Sequence, residues 1–380
     1  MIPSNDYKYI GCDDLDLDLF EGQYPIPNGV SYNSYLLLDE SVVVFDTVDK
    51  RKKNEWFNNL NKELNNRNID YLIVSHLEPD HSSCILDLAL KYPNMKLVMT
   101  EKAKAMLKNF FTISNEIIVV GENDTIKTGK HTISFIMAPM VHWPEVMMEY
   151  DSLDGLLFSA DGFGKFGALS ANEEWDDEAR RYYINIVGKY GNPVKQVLKK
   201  ASNLDIKAIL PLHGPILNSN LGHYLNLYDI WSSYKYEDEG VLIASASIHG
   251  NTYDVALKLK DICDTNNIEA HVIDLTRVDL SYPVALAFKY KYMVLLAPTY
   301  DGYIFTPMED FLLRLSHKSY QNRSVGLIEN GSWAPMANKL MSDQLLKMKN
   351  INILEPKITI KTKMTDSNVL DLKKLIANFK

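Results

Sequence analysis

The chain has 380 residues, a formal net charge of −9, 46% hydrophobic residues and 23% charged residues. This length predicts two or three domains, the composition excludes a disordered chain, and the acidity argues against nucleic acid as the main partner. Three widely spaced cysteines, Cys12, Cys84 and Cys263, exclude a disulfide framework and a cysteine-based zinc or iron–sulfur site. The sequence has neither a secretory signal nor an apolar run long enough to span a membrane, so we expect a cytoplasmic protein.

In the first part of the chain, short apolar runs and helical patterns mix without strict alternation. This mixture is typical of a layered α/β sandwich. A polar, acidic stretch at 232–240 follows, so we divide the chain into domains 1–238 and 239–380. Within the first domain we predict strands at 41–48, 69–74, 96–100, 132–138, 155–159 and 208–212, and helices at 53–66, 101–110 and 173–187.

The second domain alternates apolar strand patterns with helical patterns regularly. Five such β-α units in about 140 residues predict a small doubly wound parallel sheet. The predicted strands are 241–246, 270–275, 292–297, 324–329 and 352–361, and the predicted helices are 252–265, 282–289, 306–316, 335–349 and 366–379.

Four potential metal ligands, His76, Glu78, Asp80 and His81, directly follow the predicted strand 69–74. Loops at strand ends are where α/β folds usually carry their functional residues. Pro79 disfavours a helix across this segment, so we expect an extended or turning loop.

Three more candidates, His142, Asp161 and His213, follow later predicted strands, each near a glycine or proline that suits a sharp turn. Four imidazoles and three carboxylates are too many for one tetrahedral zinc ion, but they suit two metals with a bridging carboxylate. Because hard oxygen donors offset the charge of iron and favour its ferric state, we prefer a redox-active di-iron centre to a hydrolytic di-zinc centre.

Three loops at strand ends of the second domain predict a cofactor site. The loop 247–252 has hydroxyls at both ends and a glycine inside, which predicts a phosphate cradle at a helix N-terminus. The loops 298–302 and 330–333 add aromatic rings for stacking on a planar group. A GxGxxG motif, which would indicate a dinucleotide, is absent. This pattern resembles flavodoxin, which implies FMN held by Ser247, Ile248, His249, Gly250, Asn251, Thr252, Pro298, Thr299, Tyr300, Asp301, Gly302, Asn330, Gly331, Ser332 and Trp333.

An HxExDH motif, later His, Asp and His residues, and a flavodoxin-like second half together resemble the flavodiiron proteins, also called A-type flavoproteins. Related hydrolases carry HxHxDH, and Glu78 in place of the middle His marks the di-iron branch. The resemblance implies a metallo-β-lactamase-like αββα sandwich followed by a flavodoxin-like doubly wound parallel sheet. It also implies that one iron is held by His76, Glu78 and His142, the other by Asp80, His81 and His213, with Asp161 as the bridge. It leaves the ligation by His81 open, and it matches Tyr190 to a family tyrosine near the site.

The resemblance further implies an oxidoreductase that reduces dioxygen to water, nitric oxide to nitrous oxide, or both, with electrons that FMN receives from a donor protein such as rubredoxin. Since no CxxC pair is present, a fused rubredoxin is not expected, and the chain is similar to the minimal two-domain form. A head-to-tail homodimer or a homotetramer would bring the flavin of one copy to the metals of another. Two alternatives stay open: a di-zinc hydrolase with an accessory flavodoxin-like module, and a pure electron carrier with the first domain as scaffold.

Overall fold

The computed structural model of the chain describes residues 2–171 and 173–379. Contacts between residues divide it into two compact units, Met1–Ser232 and Ser233–Lys380. The boundary predicted from the sequence falls a few residues later in the chain. Across the described residues, none of the helices combines the length and the hydrophobicity that crossing a bilayer requires.

Unit 1 contains two main β-sheets and seven α-helices among its described residues. Its strands, β1 to β15, are Tyr7–Tyr9, Cys12–Asp14, Leu19–Phe20, Tyr24–Pro25, Val30–Tyr32, Tyr35–Leu38, Val42–Phe45, Tyr71–Ile73, Lys96–Met99, Ile117–Val119, Thr125–Lys127, Thr132–Met137, Met147–Asp151, Leu156–Phe158 and Ala208–Leu210. Its helices, α1 to α7, are Lys53–Leu64, Pro79–Ser82, Ile85–Lys91, Glu101–Leu107, Trp175–Tyr182, Gly191–Ala201 and Leu221–Ser232.

The two sheets of unit 1 have the strand orders β1-β6-β7-β8-β9-β10 and β11-β12-β13-β14-β15. Strand β12 reads TISFIM, so every second side chain, including Ile133 and Phe135, points into the apolar layer shared with Val43 and Phe45 of the other sheet. A second hydrophobic cluster joins the first sheet to α1, α3 and α4. Helix α1 contributes Trp56, Leu60 and Leu64 at four-residue spacing, which places them on one face.

The predicted helix 173–187 is interrupted in the structure. Helix α5 covers Trp175–Tyr182, a π-helical stretch follows at Tyr183–Val187, and a 3₁₀ turn covers Gly188–Tyr190. Single π-helical turns are rare and occur frequently beside functional sites. The periodicity of the sequence does not distinguish this stretch from an α-helix.

Unit 2 is built on a mostly parallel sheet, as expected from its regular alternation. Its strands, β16 to β22, are Asp238–Ser245, Ala270–Asp274, Tyr290–Tyr300, Tyr303–Ile304, Arg323–Asn330, Ile351–Ile353 and Ile358–Ile360, and its helices, α8 to α12, are Asn251–Thr265, Ser281–Lys289, Thr306–His317, Ala337–Leu345 and Asp366–Ile376. The strand order is β17-β16-β18-β20-β21. The chain therefore adds strands on one side of β16 first and then on the other, so the topological switch point lies between β16 and β18. Helices α8 and α12 pack on one apolar cluster of this sheet.

One predicted strand of unit 2 is broken in two. The sequence predicts a single strand at 352–361, whereas β21 and β22 both pair with β20 and are separated by a short connection that contains Pro356. Proline has no backbone N–H to donate to the ladder, so the strand stops before it and resumes after it.

Candidate functional site

The first candidate metal cluster comprises His76, Glu78, His142 and Asp161, which follow strands of both sheets of unit 1. His142 Nε2 lies 3.0 Å from Glu78 Oε2 and 3.1 Å from Asp161 Oδ2. His76 Nε2 lies 3.3 Å from each of the same two oxygens. These four side chains therefore offer one ligand atom each to a common point.

The second candidate cluster comprises Asp80 and His81 on α2 and His213 after β15. The Nε2 atoms of His81 and His213 lie 3.0 Å apart. Asp80 Oδ2 lies 3.4 Å from His81 Nε2 and 3.3 Å from His213 Nε2. These three side chains also converge on one point.

Asp161 connects the two clusters through its two carboxylate oxygens. Its Oδ2 faces the first cluster, whereas its Oδ1 lies 3.4 Å from His81 Nε2 and 3.6 Å from His213 Nε2. With metal–ligand bonds of about 2.0–2.2 Å, ligand atoms that share one ion lie roughly 3 Å apart. The spacing across Asp161 therefore suits one ion on each side of a bridging carboxylate.

The expectation of a loop across Pro79 was wrong. Pro79 is the first residue of the short helix α2, and Glu78 precedes it as the cap residue. Proline is well tolerated at the first helical position, because its missing N–H would have no helical partner there. The helix start separates Glu78, which faces the first cluster, from Asp80 and His81, which face the second.

Two groups outside the clusters fix the orientation of ligand imidazoles. Glu145 Oε1 lies 2.8 Å from His76 Nδ1 and accepts a hydrogen bond of 3.0 Å from the backbone N–H of Leu77. The carbonyl oxygen of Ser31 lies 2.7 Å from His213 Nδ1. Each contact holds the proton on Nδ1 and leaves the Nε2 lone pair free for a metal. Sequence analysis missed both groups, since a backbone carbonyl has no residue signature and Glu145 was marked only by its closeness to His142.

Buried polar atoms of the clusters fit a pair of cations. Within the described part of the chain, both oxygens of Asp80, both oxygens of Asp161 and Nε2 of His142 have no hydrogen-bond partner. Burying such atoms is costly unless they are paired or coordinate a metal. The donor set is therefore suited to metal ions.

In the first cluster, the imidazoles and the Glu78 carboxylate stabilise each other's charged forms. Burial opposes ionisation of Glu78, but the neighbouring imidazoles of His142 and His76 lower its pKa to about 2. Burial disfavours the charged form of His142 as well, yet Asp161 and Glu78 raise the pKa of this imidazole to about 9. Without metal, these imidazoles are protonated and balance the carboxylates, so a metal ion would displace protons from them.

Aromatic side chains, including those of Phe20 and Tyr182, pack against the imidazole of His213. The ring of Phe20 lies 5.3 Å from it and that of Tyr182 lies 5.6 Å from it. Burial, together with the Asp161 carboxylate, raises the pKa of Tyr182 well above its usual value, so its phenol keeps its proton. Sequence analysis missed Tyr182, because nothing in its spacing distinguishes it from the adjacent Tyr183. For Tyr190, the structure records the ammonium of Lys189 5.0 Å from its ring, and its role at the site stays a prediction.

In unit 2, the three predicted loops line one cavity of about 440 Å³ at the carboxyl ends of the parallel strands. Gly250 in the first loop has a φ of 91°, a conformation that favours glycine, and its N–H donates to Ser247 Oγ at 3.0 Å. This turn leads into the 15-residue helix α8, whose free N-terminal N–H groups suit a phosphate. Gly250 and Gly302 belong to these loops, and the lining consists of Ser247, Ile248, His249, Asn251, Thr252, Pro298, Thr299, Tyr300, Asp301, Asn330, Gly331, Ser332, Trp333 and Thr362.

Thr362 is the lining residue that sequence analysis missed. Its N–H donates to Asn330 Oδ1 at 3.0 Å, and its hydroxyl contacts that of Ser332. Asn330 in turn donates to Thr252 Oγ1 at 3.3 Å. These hydrogen bonds connect the loops that line the cavity. Trp333 is 83% exposed at the rim of the cavity, where it can stack on a planar ring.

Comparisons with known proteins cover most of the chain. A family profile described as "ODP family beta lactamase" matches residues 30–214. An uncharacterized protein of Methanocaldococcus jannaschii is 28% identical over 81% of this chain and 79% of its own length. The "Anaerobic nitric oxide reductase flavorubredoxin" of Vibrio vulnificus is 27% identical over 87% of this chain and 69% of its own length. A "Putative diflavin flavoprotein A 1" of a Nostoc species is 27% identical over 85% of this chain, which spans only 57% of that protein.

Solved structures resemble the chain over almost its whole length. The flavodiiron protein from Giardia intestinalis superposes with a TM-score of 0.92 and 25% identity, and the match covers 98% of this chain and 95% of that one. The rubredoxin oxygen:oxidoreductase of Desulfovibrio gigas gives a TM-score of 0.90 at 22% identity, with 99% and 96% covered, a likeness of fold. The architecture predicted from the sequence, a metallo-β-lactamase-like sandwich followed by a flavodoxin-like sheet, is confirmed.

Proposed function

The chain belongs to the flavodiiron proteins, and on that premise we propose that it is an oxidoreductase that reduces dioxygen or nitric oxide at a di-iron site served by FMN. The bridging position of Asp161 carries this proposal, because one carboxylate faces a full set of ligand atoms on each side. Bound iron would bind the gas and exchange electrons with it, and bound FMN would relay single electrons from a donor.

In this proposal the seven candidate side chains hold the metals. His76, Glu78 and His142 would bind one iron, and Asp80, His81 and His213 would bind the other, with Asp161 between them. Glu145 and the carbonyl of Ser31 keep Nε2 of His76 and of His213 directed at the metals. Tyr182 keeps its phenolic proton beside the second cluster, where gas reduction consumes protons.

In unit 2, the loop 247–252 would bind the phosphate of FMN through its backbone N–H groups and hydroxyls. Tyr300 and Trp333 would flank the flavin ring, since both are exposed at the rim of the cavity. The hydrogen bonds of Asn330 with Thr252 and Thr362 would hold these loops together around the cofactor.

The names of the relatives support a rubredoxin-type donor. One relative is named a flavorubredoxin, and one solved structure is named a rubredoxin oxygen:oxidoreductase. We further propose a cytoplasmic head-to-tail homodimer or homotetramer, in which the flavin of one copy serves the metals of another. Domains 1–238 and 239–380 would carry the metals and the flavin respectively.

The test is turnover of the iron- and FMN-loaded protein with reduced rubredoxin, followed by a dioxygen electrode and, in parallel, by a nitric oxide electrode. Dioxygen loss without peroxide release would indicate a water-forming oxidase, and nitric oxide loss with nitrous oxide appearing would indicate a nitric oxide reductase. Zinc instead of iron in the purified protein, with neither gas consumed, would overturn the proposal in favour of the di-zinc hydrolase. Gas reduction that survived Asp161→Asn would place the reaction outside the metal clusters.

A further inference from the structure

A continuous row of aromatic rings begins at the loop of Asp161. Phe163 follows Asp161 by two residues, and its ring stacks on that of Tyr228 with 4.1 Å between centroids. The backbone N–H of Phe163 donates to the hydroxyl of Tyr228. Burial, with a contribution from the Asp161 carboxylate, raises the pKa of Tyr228, which fits a phenol close to the ligand loop.

The row continues towards the surface through two tryptophans. The ring of Trp231 lies 5.3 Å from Tyr228, and Trp175 stacks on Trp231 at 6.0 Å with 17° between the planes. Tyr224 then lies 4.7 Å from Trp175. The row passes from buried rings at Tyr228 and Trp231 to the half-buried Tyr224. We call Phe163, Tyr228, Trp231, Trp175 and Tyr224 the aromatic row.

The local sequence places these rings in line. Tyr224, Tyr228 and Trp231 occupy one face of α7 at spacings of four and three residues, and Trp175 begins the neighbouring helix α5. A row needed only for packing could equally be aliphatic, as much of the two main hydrophobic clusters of unit 1 is. The row lies apart from those clusters, and beyond Phe163 every member is tyrosine or tryptophan, the side chains most easily oxidised by one electron.

We propose that the aromatic row is an escape route for oxidising equivalents from the metal clusters to the protein surface. The proposal rests on the proposed function, because dioxygen reacting at the metals is the oxidant. When the donor supplies electrons too slowly, an oxidising equivalent remains at the metal site and would oxidise the ligand side chains. The aromatic row would instead carry an electron from the protein surface to the metal site, and this electron would protect the ligands from oxidation.

Each step of the route moves one electron inward. Trp231 gives an electron to the site across the stacked rings of Tyr228 and Phe163, and its oxidised indole retains the Nε1 proton. Trp175 reduces Trp231 in the same way, and Tyr224 then reduces Trp175 and releases its phenolic proton to water. A small thiol at the surface returns one electron and one proton to Tyr224 and becomes a thiyl radical. In sum, the thiol loses one electron and the site gains one.

The test uses Trp231→Phe, which keeps an aromatic ring but removes an easily oxidised one. Trp56→Phe is the matched control, since Trp56 is also fully buried in unit 1 but packs on Phe57, away from the row. Iron- and FMN-loaded protein is reduced with only two electrons per chain, half of the four that dioxygen needs, then separated from donor and thiol, mixed with dioxygen and frozen. Electron paramagnetic resonance then detects organic radicals, with ring-deuterated tyrosine to identify their source, and peptide mass spectrometry locates oxidised residues.

We expect the wild type and Trp56→Phe to give a tyrosyl radical and oxidation at Tyr224. Trp231→Phe should lose both and accumulate oxidation at ligand histidines instead. Equal radical yield and equal Tyr224 oxidation in Trp231→Phe and the wild type would overturn the row. A second arm replaces dioxygen with hydrogen peroxide, which oxidises the iron without requiring dioxygen reductase activity. If only the peroxide arm gives radicals that depend on Trp231, the row stands and the dioxygen reductase part of the proposed function fails.

Discussion

Glu145 illustrates how a single side chain outside a metal cluster can control it. Its Oε1 accepts hydrogen bonds from Nδ1–H of His76 and from the backbone N–H of Leu77. It therefore fixes both the imidazole ring and the backbone of the ligand loop. We expect Glu145→Gln to weaken iron binding by about 10- to 100-fold, the usual cost of losing such an orienting partner. Titration of metal-free protein with ferrous iron would measure this. Glu116→Gln, at an exposed ion pair with Lys96, is the control and should bind iron normally.

Asp161 makes a stronger prediction, because its two oxygens serve different clusters. Asp161→Asn removes the negative charge shared by both ions, so we expect it to lose most of its iron from both clusters. His142→Asn should lose only the iron of the first cluster, since His142 contacts Glu78 and Asp161 Oδ2 alone among the ligand oxygens. Iron per chain, measured by elemental analysis, distinguishes them. Equal iron content in the two variants would contradict a bridging role.

Among the structural elements, the segment just before β1 is linked to the second sheet of unit 1 through one buried histidine. His131, just before β12, lies between Asp151 at the end of β13 (Nδ1–Oδ2, 2.8 Å) and Asp6 just before β1 (Nε2–Oδ2, 3.2 Å). Burial lowers the pKa of His131, but these two carboxylates outweigh it and raise the pKa above 6.5. The other groups around this histidine are Lys130 on Asp6, Tyr7 on Asp151, Asp39 on its backbone N–H, and Asp154.

The sign of the pH dependence follows from the raised pKa of His131. Its contribution to the free energy of unfolding is fully present below pH 6.5 and is lost as the pH rises through the folded-state pKa. We expect the difference in stability between wild type and His131→Gln to shrink over that range, by up to ~1.4 kcal/mol for each unit of the shift. Urea unfolding at several pH values and equal iron loading would measure it. A difference that grows with pH would contradict the assignment.

One buried guanidinium, that of Arg323, connects the first residues of unit 2 to the strands and helices that follow them by hydrogen bonds. Arg323 on β20 is 3% exposed and donates to the carbonyls of Tyr234, Lys235, Phe288, Tyr290, Gln321 and Asn322. Arg323→Lys keeps the charge but loses the planar fork, so several buried carbonyls lose their donor. We expect unit 2 to be destabilised by about 3 kcal/mol, measured by chemical denaturation. Arg277→Lys, at an exposed arginine, should have little effect.

For the strands, helices and loops that carry the site, the sequence predicts some features well and others not at all. The positions of His76, His142 and His213 after strands were predictable, because apolar runs mark strands and polar residues mark their ends. Their division into two clusters was expected only from the family resemblance and not from the residues themselves, since it depends on how the two sheets of unit 1 face each other. The bridging position of Asp161 was likewise expected from the resemblance, whereas the contact of the Ser31 carbonyl with His213 depends on backbone placement, which leaves no pattern in the residues. The π-helical turn after α5 escapes prediction for the same reason.

For the whole molecule, the proposed exchange of electrons between copies can be tested by mixing two inactive variants. Asp161→Asn should lack metals, and Gly250→Asp should lack FMN because it sets a carboxylate against the phosphate and strains a positive φ. In a head-to-tail dimer of one copy each, the intact flavin faces the intact metals. We therefore expect hybrids isolated with two affinity tags to recover part of the rubredoxin-dependent gas reduction. Pure hybrids without any recovery would indicate that each chain works alone.

The convergence of ligands from distant parts of unit 1 also has a topological consequence. The candidate ligands follow β8 in one sheet and β12, β14 and β15 in the other, so a metal pair would tie both sheets together as a cross-link. Because the ligands come together only in the folded chain, the free energy of metal binding would add directly to the stability of the fold. In a chain whose cysteines are all free, iron supply would then govern how long the folded protein survives as well as how fast it turns over.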